Sequence, residues 1–155
     1  MDRSGPRPPS LLAHPSYLAS QVSKYGRRQL ELALAEHGMS LVHHAVLSAL
    51  DDFGPQSQQQ LADSLDLDKS HLVARIDQLV DGGMVTRNQD PTDRRRNQIA
   101  LSPAGKSLVD TLRPIGRKSQ EAFLRMLSPA ERRTLTSLLY RVLDANDADR
   151  HTRLE

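Results

Sequence analysis

Apolar residues recur along most of this chain at helical spacing, and one short stretch alternates instead. Leu18, Val22, Tyr25, Leu32 and Leu34 make an uneven stripe that predicts a helix from Pro15 to His37. Gly26 weakens its middle by about 1 kcal/mol against alanine, and Gly38 ends it. Ser40 caps a second helix, Leu41 to Leu50, whose apolar positions are nearly continuous and therefore buried on most sides. Asp51-Asp52-Phe53-Gly54-Pro55 reads as a turn. Ser57-x-x-Gln60 has the form of a capping box and opens a short helix with Leu61, Ala62 and Leu65 inward. After the tight connection Asp66-Leu67, Asp68 caps a fourth helix. Its residues Leu72, Ile76, Leu79 and Val80 face a core, and Gly82-Gly83 stops it.

The alternating stretch follows. Val85 and Arg87 on one side, and Ile99 and Leu101 on the other, predict a β-hairpin with a long tip that turns at Asp90-Pro91. Ser102-Pro103 starts another long helix, with proline where its missing N–H costs nothing. Leu108, Val109, Leu112, Ile115, Phe123, Leu124 and Leu127 lie along it, and Pro114 and Gly116 predict a kink near Arg113. A second capping box, Ser128-Pro129-Ala130-Glu131, opens a last helix to about Asn146, with Leu135, Leu138, Leu139, Val142 and Leu143 on one face.

Two short helices followed at once by a hairpin make a winged helix-turn-helix, so the predicted fold is mainly α with a small β-hairpin wing. The first, fifth and sixth helices carry longer apolar stripes than a core of this size can cover. A second copy of the chain, related by a two-fold axis, would cover them and set two recognition helices about one DNA turn apart. The predicted organisation has four parts. Residues 1–15, with Pro6, Pro8, Pro9 and Pro15, form a flexible N-terminal arm. Residues 16–38 and 103–146 form a helical dimerisation region, 39–102 the winged helix-turn-helix, and 147–155 a charged, frayed tail.

Overall charge decides little. The 155 residues carry 21 Lys+Arg against 19 Asp+Glu, a net +2, so what matters is where the charge sits. Lysine is scarce (Lys24, Lys69, Lys106, Lys118), and arginine's planar fork suits phosphate and guanine. A GC-rich coding sequence accounts for the same bias. Cysteine is absent, which removes disulfides, thiolate zinc sites and thiol-based sensing. No apolar run approaches the roughly 20 residues that span a bilayer, and no signal core precedes Pro15. A cytoplasmic protein with no membrane partner is expected.

The candidate chemistry lies on the fourth helix and the hairpin. Lys69, Ser70, His71, Ala74, Arg75 and Gln78 are turned away from the core, with Asp77 at the edge. Such a face can be plain solvent surface, but it also suits a DNA major groove. Arg87 on the first strand and the run Arg94, Arg95 and Arg96 at the tip add a basic flank. Three adjacent guanidinium groups serve no packing purpose; phosphates or a narrow minor groove would attract them.

The fourth helix, Gly82-Gly83, the strand, Asp90-Pro91-Thr92-Asp93-Arg94-Arg95-Arg96, the return strand and Leu101-Ser102-Pro103-Ala104-Gly105 together resemble the winged helix of the MarR family of bacterial transcription regulators. That family's wing reads D-x-x-D-x-R and is followed by L-[TS]-x-x-G. The chain matches at Asp90, Asp93, Arg95, Leu101, Ser102 and Gly105, and more weakly over residues 16–146. The resemblance implies a homodimer bound to a pseudo-palindromic double-stranded DNA operator, usually as a repressor. It puts Arg95 in the minor groove, with Asp93 holding an arginine in a bidentate pair and stabilising the wing. Arg94 and Arg96 would touch phosphates.

The resemblance also implies a small carboxylate or phenolic effector, bound where the second helix meets the first and fifth. His43 and His44, on an otherwise apolar helix, are candidates for the polar wall of that pocket, with Tyr25, Arg28 and Arg113. Neighbouring histidines cannot share a helical face, so one points toward the dimer helices and the other toward the winged helix. The plainer alternative is a hydrogen-bonded core histidine. Zinc at His37, His43 and His44 lacks both cysteine and HxxxH spacing, so no metal and no cofactor is expected. Nothing supports an enzyme: no phosphate loop, no nucleophile elbow and no catalytic residue. A winged helix serving protein interaction, or a DNA-binding protein without a ligand, is the alternative. The polar helix face and basic wing count against the first.

Overall fold

The computed structural model describes residues 5–152, with side chains from Gly5 to Asp149. Residues 1–4 of the expected arm and 153–155 of the expected tail lie outside the described part. The chain divides into two compact units on either side of Gln120.

The first unit contains α1 (Pro9–Leu12), α2 (Pro15–Ala35), α3 (Leu41–Phe53), β1 (Gln56–Ser57), α4 (Gln58–Leu65), α5 (Lys69–Asp81), β2 (Val85–Gln89), β3 (Asn97–Leu101) and most of α6 (Pro103–Phe123). Its core is one apolar cluster in which Leu34, Val46, Leu47, Leu61, Leu72, Ile76, Leu79, Val85, Ile99 and Leu112 are essentially sealed from water. The helix boundaries follow from side-chain chemistry. Ser57 Oγ accepts from the Gln60 N–H at 3.1 Å while Gln60 returns a bond to the Ser57 N–H at 2.8 Å. These reciprocal bonds satisfy two of the donors a helix start leaves unpaired. Asp66 (φ 49°) takes the left-handed bend that turns α4 toward α5, a conformation short polar side chains tolerate.

The hairpin pairs Val85 with Leu101, Arg87 with Ile99 and Gln89 with Asn97, antiparallel. Only Val85 and Ile99 are buried, so one face packs on the core and the tip projects.

Several elements differ from the sequence reading. α3 continues through Asp51, Asp52 and Phe53, residues a helix tolerates, until Gly54 (φ 76°) stops it. β1 was not expected. It pairs Gln56 with Ile99 and Ser57 with Gln98, giving a three-stranded sheet in the order β1-β3-β2. The segment read as a flexible arm holds one turn of helix, α1. There Arg7 donates to Gln21 Oε1 at 2.9 Å and to the Tyr17 and Tyr25 hydroxyls at 3.2 and 3.3 Å. α6 runs on through Pro114 as one helix.

In the second unit the capping box is formed: the Ser128 N–H donates to Glu131 Oε2 at 2.7 Å and the Glu131 N–H to Ser128 Oγ at 3.3 Å. Arg132 Nε closes the turn before it by donating to the Leu124 and Leu127 carbonyls. α7 (Pro129–Thr152) passes the expected end at Asn146, because no glycine or proline follows to break it. Leu138, Leu139, Tyr140, Val142 and Leu143 stand at least half exposed on it. Among the described residues no helix is long and apolar enough to cross a membrane.

Candidate nucleic-acid interface

The second helix of the helix-turn-helix, α5, begins at Asp68. Its carboxylate accepts the Ser70 N–H at 2.8 Å and the Ser70 hydroxyl. These bonds hold Asp68 below the usual carboxylate range, the hydroxyl contributing most. Leu72, Ile76 and Leu79 turn into the core, which leaves Lys69, Ser70, His71, Ala74 and Gln78 exposed on one side; Arg75 is half-buried among them.

Arg75, Gln78 and Arg87 are tied down by contacts that spacing does not reveal. Arg75 donates to Gln78 Oε1 at 3.0 Å, and the same oxygen lies 2.8 Å from His43 Nε2 of α3. His43 Nδ1 in turn accepts the Ser40 N–H at 3.1 Å, while Ser40 Oγ accepts the His43 N–H at 3.3 Å. His43 therefore acts as the third residue of a capping box and as a partner of the exposed helix. Burial lowers its pKa most; the Gln78 bond opposes this and nearby Arg75 adds to it. Arg87, expected to face DNA freely, forms an ion pair with Asp77 that links β2 to α5. Both partners are partly exposed, so the pair is worth about 0–1 kcal/mol.

The wing tip is built from local acceptors. Asp90 accepts the Thr92 N–H at 2.8 Å and the Thr92 hydroxyl at 2.7 Å, which keep its pKa below the usual value. The Asp90 N–H donates to the Arg96 carbonyl at 2.8 Å and closes the loop. Asp93 does not make the expected bidentate pair. One oxygen accepts the Arg95 backbone N–H at 3.0 Å, and the other lies 3.6 Å from Arg96 Nε. The tight turn aims the carboxylate at the backbone, so a single oxygen is left for a guanidinium. Among the described residues the Arg94 and Arg95 side chains have no protein partner, and both are exposed.

Leu101-Ser102-Pro103-Ala104-Gly105 anchors this hairpin. The Ser102 N–H donates to the Met84 carbonyl at 3.0 Å. Ser102 Oγ donates to the Gly83 carbonyl at 2.6 Å and accepts the Gly105 N–H at 3.0 Å. Gly105 is buried, and any Cβ there would collide with the Met84 carbonyl. Serine and glycine at this spacing thus press the start of α6 onto the root of the wing. Neither touches the exposed face.

A cleft of about 250 Å³ lies between α3 and α6, lined by His44, Leu47, Ser48, Asp51, Leu112, Arg113 and Arg117 among others. Of the five residues expected at an effector pocket it gathers His44 and Arg113. His43 lies on the other side of α3, and Tyr25 and Arg28 are exposed on α2 outside it. His44 Nδ1 is buried without a partner, and burial lowers the ring's pKa. Asp51, which the sequence placed in a turn, accepts from Lys106 Nζ at 2.7 Å and pairs with Arg113. The Lys106 bond contributes most to holding its carboxyl below the usual range. Ser48, Asp51 and Arg117 had no sequence signal, because only packing α3 on α6 assembles them.

The MarR family profile matches residues 39–96, from before α3 to the wing tip. The chain is 35% identical over 104 residues to the helix-turn-helix-type transcriptional regulator YkoM of Bacillus subtilis, covering 67% of this chain and 68% of that one. It is 36% identical over 86 residues to a transcriptional regulatory protein for the hcr operon of Thauera aromatica, a match spanning 56% of this chain and 52% of that one. Among solved structures, Bordetella bronchiseptica BpsR shares the fold, with a TM-score of 0.78 at 24% identity over 90% of this chain and 99% of that one. With its helix-turn-helix, basic wing and Ser102–Gly105 anchor, this chain belongs to the MarR family of DNA-binding transcriptional regulators, and is not an enzyme.

Proposed function

We propose that the protein is a homodimeric cytoplasmic repressor that binds a pseudo-palindromic operator and leaves it when a small anionic or phenolic effector binds. One observation carries the DNA reading: an exposed polar helix face, Lys69 to Gln78, stands beside a wing whose Arg94 and Arg95 have no protein partner among the described residues. On this reading residues 39–102 form the DNA-binding part, α5 enters the major groove, Arg95 enters the minor groove, and Arg94 and Arg96 meet phosphates. Residues 16–38 and 103–146 form the dimerisation region. The exposed apolar residues of α2 (Leu18, Val22, Leu32) and of α7 (Leu138 to Leu143) are the surfaces a second copy covers.

The α3–α6 cleft is the effector site. An apolar cavity of roughly 150 Å³ accepts a benzene-sized molecule, so about 250 Å³ suits a substituted single ring. His44, with an unused buried nitrogen, and Arg113 or Arg117 would bind a carboxylate. The regulation of BpsR DNA binding by 6-hydroxynicotinic acid supports this ligand class. Release of DNA requires the effector to bind the DNA-incompetent state more tightly, since equal affinity would shift nothing.

Fluorescence anisotropy on the intergenic DNA beside the protein's own gene tests both halves, with a panel of aromatic and aliphatic carboxylates as competitors. Arg75→Ala should cost about 1–3 kcal/mol on that DNA and much less on random DNA. No binding to that DNA would remove the self-regulating repressor. Binding that no ligand reverses at sub-millimolar concentration would remove the effector half.

A further inference from the structure

The contacts running from Ser40 to Arg75 determine which end of the Gln78 amide faces outward. A guanidinium can only donate, so the Gln78 atom 3.0 Å from Arg75 is the oxygen. The Ser40 backbone N–H can also only donate, so His43 Nδ1 must be the unprotonated nitrogen. The neutral ring then carries its proton on Nε2 and donates to the same Gln78 oxygen at 2.8 Å. Both lone pairs of that oxygen are occupied from within the protein. Rotating the amide by half a turn would set its NH₂ against two donors.

We propose that His43 is a positioning residue that locks the Gln78 amide oxygen inward, so that Gln78 offers DNA two N–H donors and selects guanine rather than adenine. A free glutamine pairs with adenine by accepting from N6 while donating to N7. That needs the oxygen outward, where here it is not available. Guanine presents two acceptors, O6 and N7, in the major groove, and suits a donor-only amide. The ring stays in the required form because protonating Nδ1 would oppose two N–H groups. Ala35, Met39, Leu79 and Met84, which line the cleft around the ring, carry no charge; Arg75 on α5 is the charged neighbour and disfavours an imidazolium. The proposal rests on α5 reading DNA.

The test is site selection from a random-sequence duplex library by wild type, His43→Asn, His43→Gln and Gln78→Glu. Asparagine keeps an acceptor for the Ser40 N–H but is too short to reach Gln78. Glutamine at 43 keeps a donor near the position of Nε2. Glutamate at 78 preserves the inward bonds and turns an acceptor outward, which suits the cytosine amino group. Wild type and His43→Gln should enrich a guanine at one position of each half-site. His43→Asn should lose about tenfold of its discrimination against adenine there. Gln78→Glu should move the preference to cytosine. Adenine at that position in the wild-type sites, the same base chosen by wild type and Gln78→Glu, or a guanine-over-adenine ratio in His43→Asn as high as in wild type, would overturn the proposal and leave the DNA-binding reading intact. No enrichment by wild type would overturn both.

Discussion

Gly105→Ala replaces one hydrogen by a methyl group at the most crowded of the glycine positions. The new Cβ would lie inside the contact radius of the Met84 carbonyl oxygen, 2.9 Å from its carbon and 3.2 Å from Leu101 Cδ2. The obstacle is backbone, which cannot rotate aside as a side chain can. The first turn of α6 must therefore lift from Met84 by roughly an ångström, an overpacking strain of about 1–3 kcal/mol. The lift also breaks the bonds from Ser102 to the Met84 and Gly83 carbonyls, at about 1 kcal/mol each. Alanine's better helix propensity returns about 1 kcal/mol. The net destabilisation is about 2–4 kcal/mol, a melting temperature lower by roughly 4–16 °C for a domain of this size. Gly116→Ala is the control: its Cβ would sit 3.9 Å from His44 Nε2 and Leu30 Cδ1, an ordinary contact, so the change should be neutral or stabilise by up to about 1 kcal/mol. Urea denaturation followed by circular dichroism reads both variants. A Gly105→Ala midpoint equal to wild type would refute the close approach of α6 to the wing root.

The Arg94/Arg95/Arg96→Ala variant should weaken DNA binding and flatten the plot of log affinity against log salt by roughly two to three units; an unchanged slope would take the wing off the DNA. Leu139→Asp places a carboxylate on a half-exposed position of α7, where a monomer tolerates it and a dimer interface loses several kcal/mol. Light scattering should report monomers, and a stable dimer would exclude this face. His43 and His44 both have folded pKa values below 6.5, so the native state takes up fewer protons than the unfolded chain. Their stabilisation is complete above about pH 6.5 and is lost as pH falls through the folded values. A His43→Gln/His44→Asn double variant should flatten the denaturation midpoint against pH in that window. An equally steep curve would assign the acid loss to other groups.

Local chemistry made much of this protein legible. Ser57-x-x-Gln60, Asp68 and Ser128-x-x-Glu131 mark helix starts with bonds spanning two or three residues, and those bonds are present. Val85, Ile99 and the Asp90 turn announce the hairpin for the same reason: a period of two and a turn are properties of neighbours in sequence. What the sequence left open depends on residues far apart along the chain. β1 is two residues long and exists because β3 offers a partner at Ile99 and Gln98. The end of α3 at Gly54 rather than Leu50 brings Asp51 onto the helix, where Lys106 and Arg113 reach it. Sequence distinguished neither histidine's role; packing did, by turning His43 to Gln78 and His44 into the α3–α6 cleft. A backbone propensity can be summed over a window of sequence, but a side chain's partner is set by which surfaces the core brings within 3 Å, and that is settled only when the chain has folded.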